Sequence, residues 1–158
     1  MNKNSSLEEK IISILLKKKW TITIAESCTA GLISATLVNV SGSSQVFNES
    51  YVTYSNNSKI KLLNVKKETL EKYGAVSSET ALEMAKGAAH VANAEVAISA
   101  TGIAGPDGGT PEKPVGLVYI GLHICGDTIA LKYNFEGNRN EIRQKTVESA
   151  LGFLLENL

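Results

Sequence analysis

Thr23-Ile24-Ala25-Glu26-Ser27-Cys28-Thr29-Ala30-Gly31 is the stretch on which the reading of the fold turns. Trp20 to Ala25 is rich in β-branched residues and reads as a buried strand, whereas Gly31-Leu32-Ile33-Ser34-Ala35-Thr36-Leu37-Val38 has the dense apolar pattern of a core helix. The periodicity therefore changes from strand to helix across a cluster of hydroxyl and thiol side chains. A hydroxyl at such a corner sits beside the free N–H groups and the positive dipole end of the helix, which hold an anion or a developing oxyanion. A plain helix cap is the alternative for Ser27 or Thr29, and it is the commoner fate of such residues.

Outward from this corner, helices and strands alternate. Ser6 with Glu9 forms a capping-box pattern, and Leu7, Ile11, Ile14 and Leu15 recur at helical spacing, so a first amphipathic helix is predicted near 6 to 18. The helix after the corner is predicted at 30 to 39, a loop at Ser41-Gly42-Ser43-Ser44, and a strand at Ser50-Tyr51-Val52-Thr53-Tyr54. Helices follow near 56 to 63 and 67 to 73, with Gly74 as the residue past the helix end, and Ser77 or Ser78 caps a long alanine-rich helix to about Ala92. Glu95 to Ala100 reads as a third strand. Leu117 to Ile124 and Thr128 to Phe135 form a hairpin across Cys125-Gly126-Asp127, and a last helix runs from Arg139 to Asn157. Strands separated by helices run parallel, while the hairpin adds one antiparallel strand. The expected architecture is a three-layer α/β/α sandwich around a five-stranded mixed, mostly parallel sheet, forming one domain over 1–158.

The bulk properties narrow the function. With 158 residues and 43% apolar composition, the chain has enough material for a substantial core. Sixteen basic and sixteen acidic residues cancel, so no global field recruits nucleic acid or an anionic membrane, and a small-molecule partner is expected. The two cysteines, Cys28 and Cys125, lie far apart with no partner at zinc-ligand spacing, which fits a reducing compartment. Glu8-Glu9-Lys10 precedes the apolar run from Ile11 to Leu16, the wrong order for a secretory signal and too short a run to span a bilayer. A cytoplasmic protein is expected, and self-association is left open.

A second informative stretch runs from Thr101-Gly102-Ile103-Ala104-Gly105-Pro106-Asp107-Gly108-Gly109 to Val115-Gly116. It is neither a P-loop nor a G-x-G-x-x-G fingerprint. Two readings are evenly balanced: a loop whose glycines let a ligand approach the backbone, and a surface turn stiffened by Pro106, Pro111 and Pro114. The two histidines, His90 and His123, have no companions at metal-ligand spacing and are expected to be structural, which disfavours a Ser-His-Asp triad. Lysine or tyrosine must then be considered as the partner of Ser27. Tyr54 and Lys59 flank Ser55-Asn56-Asn57-Ser58 just past the second strand, and parallel pairing of the first two strands would bring them toward Ser27.

Ala25-Glu26-Ser27-Cys28-Thr29-Ala30-Gly31, Gly42-Ser43-Ser44, Tyr51-Val52-Thr53-Tyr54-Ser55-Asn56-x-x-Lys59, Gly74-Ala75-Val76-Ser77, Ser99-x-Thr101-Gly102-Ile103-Ala104-Gly105-Pro106-Asp107-Gly108-Gly109 and Lys113-Pro114-Val115-Gly116, taken in order, resemble the C-terminal domain of the competence/damage-inducible protein A family. The resemblance covers about Leu7 to Leu155 and implies the same three-layer fold. It also implies nicotinamide mononucleotide deamidase activity, the hydrolysis of a carboxamide to nicotinate mononucleotide and ammonia with no cofactor and no metal. Many members carry an additional pyrophosphatase domain, and only the amidase half is expected here. On this resemblance the nucleophile falls on Ser27 and its partners on Tyr54 and Lys59, with Lys61 a rival for the amine and Cys28 a rival nucleophile. The family usually has glycine where this chain has Ala30, a helix-compatible change unless the position requires positive φ. The expected substrate-binding surface combines Glu26, Cys28, Thr29, Ala30 and Gly31 with Gly102, Gly105, Pro106, Asp107, Gly108 and Gly109. Arg139 is added because Asn138 and Glu141 resemble a capping box, which sets its guanidinium beside free amides suited to a phosphate monoester; ion pairing with Glu136 or Glu141 is the alternative. A catalytically silent nucleotide-binding module linked to competence or the DNA damage response is the alternative function.

Overall fold

The computed structural model describes residues 5–158, so the first four residues of the expected domain lie outside the described residues. In chain order the elements are α1 (Leu7–Lys18), β1 (Ile22–Glu26), α2 (Leu32–Leu37), a short 3-10 turn at Ser43–Gln45, β2 (Phe47–Val52), α3 (Asn56–Leu63), α4 (Lys67–Tyr73), α5 (Ser78–Ala92), β3 (Val96–Gly102), β4 (Leu117–Ile124), β5 (Asp127–Asn134) and α6 (Arg139–Asn157). The sheet order is β2-β1-β3-β4-β5. β1 pairs in parallel with β2 and β3, and the two pairings of β4 are antiparallel, so β4 alone runs against the other strands.

Side-chain alternation on the central strands explains the two outer layers. Ile22, Ile24, Val96, Ile98 and Ala100 face α1, α2 and α6, where Ile11, Leu15, Ile33, Val147 and Leu151 join one core. Ala25 and Ala97 face the other way, toward Leu63, Met84 and Ala88 of α3 and α5. The small residues on that face let an alanine-rich helix lie close: a Cβ on Gly121 of β4 would stand 2.5 Å from the Ala81 carbonyl oxygen, and the Ser99 hydroxyl donates to that oxygen at 2.6 Å.

Two predicted elements are corrected. Helix α2 begins at Leu32 rather than residue 30, because Ala30 (φ 49) and Gly31 (φ 96) both adopt the left-handed conformation before it. β2 spans Phe47–Val52 rather than 50–54; it is an edge strand with mostly exposed side chains, so Asn48 and Glu49 carry no apolar signal of a strand. The register sets the candidate site. Glu26 lies opposite Val52 on one side and Ala100 on the other, so the residues that follow, Ser27, Thr53 and Thr101, stand side by side at the C-terminal ends of three parallel strands.

Candidate active site

The β1–α2 corner is held from inside by a carboxylate. Glu26 is fully buried, and its Oε2 accepts from the Gly31 and Ile33 N–H groups at 3.0 and 3.1 Å, while Oε1 accepts from the Ser34 N–H and hydroxyl at 2.9 and 2.7 Å. The amides expected to await an anion at this helix end are thus already satisfied by the protein's own side chain. Glu26, Thr29, Ala30 and Gly31 are accordingly not brought to the cleft. Thr29 is fully buried, and Ala30 takes a conformation that costs an L-residue on the order of 1 kcal/mol, so the position does require the positive φ that glycine adopts freely. Within the Ser27–Ala30 turn, the Ala30 N–H returns to the Ser27 carbonyl at 3.2 Å.

Ser27 meets Lys59 directly. Lys59 is fully buried in α3, and its Nζ donates to Ser27 Oγ at 3.0 Å, to the Thr53 carbonyl at 2.8 Å and to the Tyr54 carbonyl at 3.4 Å. Burial pulls the amine down from 10.5 to about 8, with the neighbouring Cys28 acting weakly in the opposite direction. On losing a proton the amine keeps two N–H donors for the two carbonyls and gains a lone pair that the Ser27 hydroxyl can donate to. Lys61, two residues on, is exposed on the far side of the helix and is not the amine at Ser27. Cys28 also borders the cleft, but burial first, and Glu26 in smaller part, push its thiol up to about 11 and keep it protonated.

Ser27, Cys28, Tyr54 and Lys59 form one side of a cleft of about 280 Å³, closed on the other side by Gly102, Gly105, Asp107 and Gly108. The glycine-rich loop therefore serves both readings. A Cβ on Gly102 would lie 2.6 Å from Val118 Cγ2 and one on Gly105 2.5 Å from Val115 Cγ1, so these two glycines answer to the packing of the loop on itself and on β4. Gly109 abuts the Val115 backbone and Pro106 lines a neighbouring hollow, so neither borders the cleft that contains Ser27. Tyr54 is exposed, and its hydroxyl accepts from Arg139 Nη2 at 3.1 Å rather than standing between Ser27 and Lys59. Arg139 Nη1 reaches the Gly105 carbonyl at 2.8 Å, so this guanidinium joins the rim after β2 to the rim after β3. Asn138 and Glu141 form the predicted capping box, and among the described residues neither Glu136 nor Glu141 forms an ion pair with Arg139.

The histidines lie apart from this cleft: His123 Nδ1 is bonded to Thr128 Oγ1 at 2.7 Å, and both rings border a hollow with Lys86 and Glu95. Two contributors escaped the sequence reading. Lys113 Nζ donates to the Tyr73 and Val76 carbonyls at 2.6 and 2.8 Å, tying the glycine-rich loop to the wall that carries Ala75 and Val76. Arg143 grips the turn after Ser27; its only sequence signal was a position one helical turn beyond Arg139.

A strand-end serine in contact with a buried lysine, in an α/β/α sandwich whose cleft lies beyond the carboxyl ends of parallel strands, is an arrangement chemically able to bring a small ligand against a hydroxyl. A family model, CinA C-terminal domain, matches residues 4–158, and the chain belongs to that family. It is 56% identical over 154 residues to a CinA-like protein of Dictyoglomus thermophilum, covering 98% of this chain and 38% of the relative. The crystal structure of the competence/damage inducible protein CihA from Agrobacterium tumefaciens superposes with a TM-score of 0.93 at 42% identity, covering 95% of this chain and 92% of that one. A competence-damaged protein (CinA) superfamily structure from Escherichia coli matches with a TM-score of 0.93 at 34% identity over 96% and 88% of the two chains. The chain thus spans well under half the length of the curated relatives it matches. Among the described residues, no helix is long and apolar enough to cross a membrane.

Proposed function

We propose that the protein hydrolyses the carboxamide of nicotinamide mononucleotide to nicotinate mononucleotide and ammonia, with Ser27 as nucleophile and Lys59 as its base. The observation that carries this reading is the 3.0 Å contact between Lys59 Nζ and Ser27 Oγ beside an open cleft. Ser27 Oγ attacks the carboxamide carbon as its proton passes to neutral Lys59. The tetrahedral intermediate collapses when Lys59 returns that proton to the departing nitrogen, releasing ammonia and leaving an ester on Ser27. Water then attacks the ester, Lys59 takes its proton and returns it to Ser27, and the carboxylate product leaves. Measuring ammonia and nicotinate mononucleotide from the purified protein tests the proposal, and binding without turnover would favour the silent nucleotide-binding alternative.

Two expectations accompany it. Hydrolysis is expected to be insensitive to chelators, since no group of three or more His, Cys, Asp or Glu side chains able to hold a metal ion occurs among the described residues. Activity lost in EDTA and restored by a divalent cation would overturn the serine–lysine mechanism. Arg139, already reaching across the cleft, is proposed to hold the substrate phosphate by charge-assisted hydrogen bonds. Arg139→Ala should raise KM for nicotinamide mononucleotide roughly tenfold or more while barely changing the poorer reaction of nicotinamide riboside, which lacks the phosphate. Equal losses on both substrates would make Arg139 structural and place the phosphate near Gly105 to Gly109.

A further inference from the structure

The turn that presents Ser27 is held from inside by Glu26 and from outside by Arg143. Arg143 stands one turn after Arg139 on α6, half-buried; its Nε donates to the Cys28 carbonyl at 3.1 Å and its Nη2 to the Thr29 carbonyl at 2.8 Å. Two successive carbonyls gripped by one planar fork is an arrangement that lysine cannot reproduce. Each carbonyl belongs to a rigid trans peptide whose N–H points the opposite way. Fixing the Cys28 carbonyl therefore fixes the Thr29 N–H, and fixing the Thr29 carbonyl fixes the Ala30 N–H that closes the turn on the Ser27 carbonyl. The same grip acts on the peptide leading into Ala30, whose left-handed conformation would otherwise tend to relax.

We infer that Arg143 is a positioning residue for the nucleophile: by its grip on the Cys28 and Thr29 carbonyls it holds the Ser27–Ala30 turn, and with it Ser27 Oγ against the Lys59 amine. Arg143 touches no reacting atom. Its effect is on the placement of Ser27 Oγ, and a nucleophile held in place before reaction gives up no further freedom in the attack. The inference rests on the proposed role of Ser27 but not on the identity of the amide substrate.

The test uses a fluorophosphonate, which Ser27 Oγ attacks at phosphorus: the O–P bond forms, fluoride leaves and Lys59 takes the serine proton. Arg143→Ala should slow this labelling about 100-fold and lower kcat for nicotinamide mononucleotide by a similar factor, with KM changed less than about threefold. Added guanidinium ion should restore part of the labelling rate in that variant. Arg143→Lys, which keeps the charge and serves if the alanine variant does not fold, should label about tenfold more slowly than the wild type. Wild-type labelling rates in Arg143→Lys or in folded Arg143→Ala would overturn the inference, as would an effect confined to KM. A wild-type protein that takes no label would overturn it together with the Ser27 nucleophile. Normal labelling and the expected Arg143 effect in a protein that does not turn over nicotinamide mononucleotide would uphold the inference and overturn only the proposed substrate.

Discussion

Ser27→Ala should lower ammonia release from nicotinamide mononucleotide by about 10⁴-fold or more, because the proposed chemistry has no second route to the acyl intermediate. The substitution removes one hydroxyl from a residue 8% exposed at a strand end, where no large cavity follows. The corner itself is secured by the Glu26 carboxylate and the Arg143 guanidinium, neither of which bonds the Ser27 side chain, so the variant should fold and bind ligand as the wild type does. Cys28 cannot readily substitute, since its thiol is pushed up to about 11 and is protonated at neutral pH. Wild-type turnover in Ser27→Ala together with loss in Cys28→Ala would reassign the nucleophile.

The second large effect belongs to Lys59→Met, expected to reduce kcat by about 10²- to 10⁴-fold with little change in ground-state binding. The amine must be neutral to accept the serine proton. With its protonation midpoint at about 8, the wild-type kcat/KM should rise tenfold per pH unit below that value and level off above it. Stability carries the same signature. The folded amine titrates below the 10.5 of the free side chain, so the unfolded chain binds the extra proton between about 8 and 10.5 and stability rises with pH across that window. Burial thus costs on the order of 3 kcal/mol below pH 8, a cost relieved as the pH approaches 10.5. Replacing the amine with a thioether should flatten that dependence in denaturant titrations at several pH values. A variant with the wild-type slope would mean that Lys59 is not the depressed group.

Most of the architecture was legible because it rests on periodicity: the change from the β-branched Trp20–Ala25 run to the Leu32–Leu37 helix, the capping boxes at Ser6 and Asn138, and the turn between β4 and β5 are all local signals. The second strand was misplaced because an edge strand with exposed side chains carries no apolar alternation. The site was legible in part. Ser27 stood out at the corner, but its contact with Lys59 depends on β1 lying beside β2, an adjacency the sequence left conditional. Glu26 looked like a ligand-binding group and is an internal cap, because the amides it satisfies become its partners only when the chain folds back on itself over seven or eight residues. Ala30 gave no warning of its positive φ beyond the glycine expected there by resemblance. Arg143 was invisible as a site residue, since its partners are backbone atoms more than a hundred residues away.

The measurement that bears most directly on the central claim is the end-point conversion of nicotinamide mononucleotide by purified wild-type protein beside its Ser27→Ala variant, with ammonia and nicotinate mononucleotide quantified together. The serine–lysine reading predicts equimolar release of the two products by the wild type and none above background by the variant. Absence of both products from the wild type, or equal yields from the two proteins, would contradict it.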